Sequence, residues 1–225
     1  MRVIPWVLTI VSAVFLSGVH ADTHITMKEG NRKASSEEPA QAGQPANKVQ
    51  VVQIWSRPDD MVRIGENGRM IFSLARGMTY MVNDDKKSCR GFPHPEVGLV
   101  SGESDSKTDI RKNGQTRKVG AWQAEGYEMS AKIAGIETPL EITFWVAEEL
   151  TTGFDVYRAN FAGMTTSQTV WMSKMLELGG YPVYQETAMG PMVSWSEIVS
   201  VDEEPAPDGI YDIPADYDGC ASENS

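Results

Sequence analysis

Apolar and polar residues alternate with a period of two through most of the chain. Val62 and Ile64 flank Arg63 ahead of a Glu66-Asn67-Gly68 turn, and Met70, Phe72 and Leu74 share one face of the next segment. Met78, Tyr80 and Val82 repeat the pattern before the polar run from Asn83 to Lys87. The cleanest alternation comes later. Tyr127, Met129, Ala131 and Ile133 lie opposite Glu128, Ser130 and Lys132; Gly135 and Pro139 bracket a turn; Leu140, Ile142, Phe144 and Val146 then point one way. Successive side chains of a strand point to opposite faces, so these runs predict short antiparallel strands, each pair with one buried face.

The period changes once. Phe154, Tyr157, Phe161 and Met164 recur at helical spacing after a candidate N-cap, Thr152, and Val170, Trp171, Met175 and Leu178 continue a second helical piece that Gly179-Gly180 stops. Strands return at Tyr181–Thr187 and Met192–Val201, followed by a Pro-rich acidic stretch leading into Ile210–Tyr217. Two segments read as loops. Lys28 to Lys48 has no Val, Ile, Leu, Met or aromatic residue and is expected to be disordered, after a short strand at His24–Met27. Ser101 to Lys118 is polar and reads as surface loop. The layout predicts one α+β domain over residues 22–217 with a flexible tail at 218–225.

The first residues change the picture of where this domain works. Arg2, an apolar run from Ile4 to Leu16 and the small residues Val19 and Ala21 form a secretory signal, with cleavage expected after Ala21. The run falls short of the roughly 20 residues a membrane-spanning helix needs. An export signal of this kind predicts a periplasmic protein, full secretion being the alternative. The formal net charge is −11, which disfavours nucleic acid and anionic lipid surfaces as electrostatic partners. The only two cysteines, Cys89 and Cys220, are a candidate disulfide, since oxidising compartments favour pairing; two separate thiols are the alternative.

Candidate chemistry is sparse. The histidines lack metal-ligand spacing, and no nucleophile elbow, phosphate loop or dinucleotide fingerprint occurs. The expectation is a protein that is not an enzyme and uses no cofactor or metal. Methionine is abundant, with Met-x-x-Met pairs at Met78/Met81, Met172/Met175 and Met189/Met192. Thioethers can hold Cu(I). Only Met172 and Met175, three apart on a helix, are expected to share a face, and methionines more commonly fill irregular gaps or line adaptable pockets.

The phrases "MVRIGENGRMIFSLARGMTYMVNDDKK", "EGYEMSAKI" with "LEITFWVAEEL", "GGYPVYQE" and "IYDIPADY" resemble a family of uncharacterised exported bacterial domains related to the lipoprotein-carrier (LolA/LolB-like) proteins. The resemblance covers most of residues 49–217. It implies an incomplete, half β-barrel wrapped around helices, an apolar cavity between them, and no catalytic residue. The implied ligand is a lipid, acyl chain or lipoprotein, with an envelope protein as a further candidate partner. The cavity would be lined by Met70, Phe72, Tyr80, Phe144, Phe161, Met164, Trp171 and Met175. An acyl chain gains about 0.8 kcal/mol per buried CH₂, so such a cavity has a physical purpose. The competing readings are a structural or protein-interaction module with a filled core, and a copper-binding protein.

Overall fold

The computed structural model describes residues 21–33, 48–94, 108–131, 140–163, 170–189 and 192–220. Its elements are β1 (Asp22–Lys33), β2 (Gln50–Arg57), β3 (Asp60–Gly65), β4 (Gly68–Ser73), β5 (Met78–Asn83), β6 (Ser88–Pro93), β7 (Thr108–Val119), β8 (Trp122–Ala131), β9 (Leu140–Ala147), α1 (Phe154–Gly163), α2 (Val170–Leu176), β10 (Tyr181–Met189) and β11 (Met192–Glu204). The strands form one 11-stranded antiparallel sheet in the order β6-β5-β4-β3-β2-β1-β11-β10-β9-β8-β7. Two meanders, β2–β6 and β7–β11, thus meet at β1, which pairs with β2 on one side and β11 on the other.

This corrects the expected α+β half-barrel. Strands dominate, the two helices have only 10 and 7 residues, and β6 and β7 remain opposite edges, so the sheet does not close into a barrel. The difference traces to two polar segments. β7 occupies most of the stretch read as surface loop, because its backbone pairs with β8 while most of its side chains stay in water. β1 runs on to Lys33, so Lys28–Lys33 are strand rather than disordered loop. Ladder hydrogen bonds to β11 hold them, and that pairing does not require apolar side chains. The rest of the expected loop, residues 34–47, and the last five residues of the expected tail lie outside the described residues.

Turn chemistry fixes the meander. Arg57 opposes Asp60 across Pro58-Asp59, with Asp59 at φ 69°, and the Arg57 guanidinium bonds the Asp60 carboxylate at 2.8 Å. Register then decides which apolar residues meet. Met61, Phe72 and Thr79 stand side by side on one face, whereas Val62, Ile71 and Tyr80 stand on the other. Both faces of this half are covered. The helices lie on the Phe72 side. On the reverse, residues 205–220 cross the strands as a strap, whose Ile210 and Tyr211 are buried with Trp55, Val62, Ile71, Tyr80, Val82 and Cys89. Residues 205–220 are therefore a turn-rich strap with no ladder of their own.

The strap is fastened at two places. Tyr211 donates to the Asp22 carboxylate at 3.0 Å, and at the far end the backbone N–H of Cys89 donates to the carbonyl of Asp218 at 2.8 Å. Cys89 and Cys220 are joined as a disulfide with their Cα atoms 4.7 Å apart.

Candidate functional site

The site begins with how α1 is seated. Asn160 is buried, and its Nδ2 donates to the carbonyls of Arg57 at 3.0 Å and Asp60 at 3.3 Å, which ties the helix to the β2–β3 turn. At its start the chain turns through Gly153 at φ 61° rather than through a Thr152 cap. A Cβ on Gly153 would stand 1.9 Å from Thr23 Oγ1, so only glycine lets the chain pass this close to β1. The carbonyl of Thr152 instead accepts a bond from the Tyr181 hydroxyl at 2.8 Å. Phe154 and Tyr157 pack on Tyr181 with ring centroids 5.0 and 5.1 Å apart, which turns Tyr157 and Phe161 toward the sheet.

Between the helices and the sheet lies a cavity of about 380 Å³. Its apolar lining includes Met27, Met61, Phe72, Tyr157, Phe161, Met172 and Met175. Phe72 on β4 and Gln185 on β10 both reach it, although five strand spacings, roughly 24 Å in a flat sheet, separate those strands. The sheet therefore bends over the cavity without its edges meeting. One end is polar. Arg63 pairs with the Glu29 carboxylate, to which Gln50 Nε2 also donates at 3.1 Å, and Gln185 and Ser196 complete that end. Burial, and secondarily the Glu29 charge, push the Tyr157 hydroxyl pKa above its ordinary value, so this phenol stays protonated.

Of the eight residues expected to line a cavity, Phe72, Phe161 and Met175 do. Phe144 is fully buried beside it, in a solid cluster with Tyr127, Met129, Ile142 and Val146 under Met175. Met70 shares the face of Phe72 but lines a separate surface depression with Met81 and Phe92. Tyr80 lies on the opposite face beneath the strap, because it pairs with Ile71 rather than with Phe72. Met164 and the side chain of Trp171 lie outside the described residues. Sequence reasoning missed Met27, Ile54, Met61 and Ile198, and the polar pair Glu29 and Arg63. Met27 and Glu29 do alternate along β1, but the polar residues around them masked the signal.

Met172 and Met175 both reach the cavity, as their helical spacing predicts, whereas Met78 packs toward the strap cluster and Met81 is exposed. Among the described residues there is no group of three or more His, Cys, Asp or Glu side chains that could hold a metal ion. No helix among them is long and apolar enough to cross a membrane.

These features define an open antiparallel sheet that carries a helix-covered apolar cavity with one polar end. The chain belongs to the family described as a domain of unknown function, DUF4412, whose model matches residues 56–217. A search of curated proteins finds no significant match. Among solved structures, the chain is similar to the lipoprotein LppX of Mycobacterium tuberculosis, at 7% identity and a TM-score of 0.36 over 82% of this chain and 88% of that one. That likeness is too distant to bear on function.

Proposed function

We propose that this is an exported, non-enzymatic binding protein that holds a lipid, acyl chain or lipoprotein acyl group in the cavity beneath α1 and α2, in the manner of a lipoprotein-carrier-like (LolA/LolB-like) domain. The observation that carries the reading is the cavity itself. An apolar volume of about 380 Å³ falls in the range of small-molecule sites, roughly 300–1,000 Å³. Its thioethers are polarizable and flexible, which suits chains of variable shape. The Cys89–Cys220 disulfide supports work in an oxidising compartment such as the periplasm, in line with the N-terminal signal pattern.

Native mass spectrometry of protein purified from the periplasm should show a co-purified mass in the lipid range. Met172→Trp, which fills the cavity from α2, should abolish binding of a fluorescent fatty-acid probe while the denaturant midpoint holds within about 1 kcal/mol. A wild type that carries no lipid and binds no probe rejects the proposal in favour of a filled-core interaction module.

A further inference from the structure

A second cavity adjoins the first. It has a volume of about 450 Å³ and shares Glu29, Gln185 and Ser196 with the apolar cavity, so those three side chains form a common wall. Its character is different. Beyond the shared residues its polar lining is Asn31, Gln50, Thr187 and Ser194, all neutral amides or hydroxyls. The two charged groups that reach it are already countered within the protein, Glu29 by Arg63 and Lys48 by Glu66. Within the wall, Ser194 Oγ donates to Asn31 Oδ1 at 2.6 Å and Gln185 Nε2 donates to Thr187 Oγ1 at 3.2 Å. Asn31 keeps its amide nitrogen, and Gln185 its amide oxygen, outside those bonds. The lining therefore offers donors and acceptors side by side.

The Trp195 indole lies on the reverse face of the sheet, over Gly30, and not among these side chains. A Cβ at that position would stand 2.9 Å from the indole. An ionic head group would find no unpaired counter-charge in the polar cavity. A hydroxyl both donates and accepts, and so matches a mixed amide and hydroxyl lining.

From these observations we infer that the ligand is an amphiphile with an uncharged, hydroxyl-bearing head, of glycosyl or glycerol type, seated in the polar cavity while its tail fills the apolar one. This rests on the proposed function, whose cavity holds the tail.

The test titrates the full mature chain with octyl β-glucoside, octanoate, octyl phosphate and octyltrimethylammonium, each below its micellar concentration. Backbone amide NMR shifts around Asn31 and Ser194 report the head, and those of α1 and α2 report the tail. The glucoside should bind at least about ten-fold tighter than each charged compound. Asn31→Ala, at an exposed position, should weaken the glucoside several-fold and leave octanoate unchanged. Equal affinities, or a charged head binding tighter, with α1 and α2 still responding, overturn the head-group inference and leave the apolar-ligand reading standing. If no octyl compound shifts α1 or α2, the apolar-ligand reading fails and the head-group inference fails with it.

Discussion

Single side chains decide how the cavity is roofed. Asn160 is 2% exposed and bonds two carbonyls of the β2–β3 turn, so its loss leaves buried acceptors without a donor. Asn160→Ala should lower stability by about 1–3 kcal/mol in urea titration, and probe binding should weaken with it as α1 loosens. An unchanged midpoint would show that the turn holds α1 by other means. Several phenols also couple the fold to pH. The Tyr184 hydroxyl is pushed up to about 12, by burial first and the Glu186 contact next, and burial raises Tyr157, Tyr181 and Tyr211 as well. In the folded chain these groups stay neutral, whereas in the unfolded chain they ionise near the ordinary tyrosine value. Their contribution is therefore fully present below about pH 10 and lost as pH rises through their folded values. The denaturant midpoint should fall from about pH 10 upward, and a flat profile to about pH 12 would count against the burial of these rings.

At the scale of elements, the strap is the least conventional piece of the fold. It has no ladder of its own, apart from a single bridge between Asp218 and Ser88. What holds it is apolar burial, the Arg69 guanidinium bonded to the Ile210 carbonyl at 2.7 Å, the Arg57 guanidinium 4.0 Å over the Tyr211 ring, and the disulfide. The bridge closes a loop with a sequence separation of 131 residues, for which the chain-entropy account gives about 4–5 kcal/mol. Cys89→Ser with Cys220→Ser should cost up to that amount. Hydrogen exchange should speed first at residues 205–220 and then in β5 and β6, while α1 and α2 keep their protection. Equal loosening of the helices would mean that the two faces of the sheet are not independent.

Over the whole molecule, β1 is the seam. Among the described residues it is the first strand in sequence, but it lies between β2 and the last strand, β11, so the sheet is complete only when residues 22–33 and 192–204 have met. Cleavage after Ala21 would leave β1 whole, since it starts at Asp22, whose carboxylate accepts the Tyr211 hydroxyl. N-terminal sequencing of protein from an extracytoplasmic fraction should therefore begin at Asp22, within a residue or two. Recovery with Met1 intact would count against export with cleavage.

Alternation along the chain by itself determined the strands of β3–β5 and β8–β11 and the place of the helical excursion, because periods of 2.0 and 3.6 are local properties of the backbone. The same locality explains why Phe72, Phe161 and Met175 could be picked as cavity residues, each on an apolar stripe of its own element. Tertiary structure decided the rest. Which face of β5 meets which face of β4 depends on register, and that pairing sent Tyr80 under the strap while Phe72 went under the helices. The polar strands β7 and the second half of β1 are held by backbone bonds, β7 to the adjoining β8 and β1 to the distant β11, so their side chains announced nothing. The polar end of the cavity followed from the same cause: Glu29 and Arg63, 34 residues apart, become a pair only because β2 separates their strands by two spacings on a shared face.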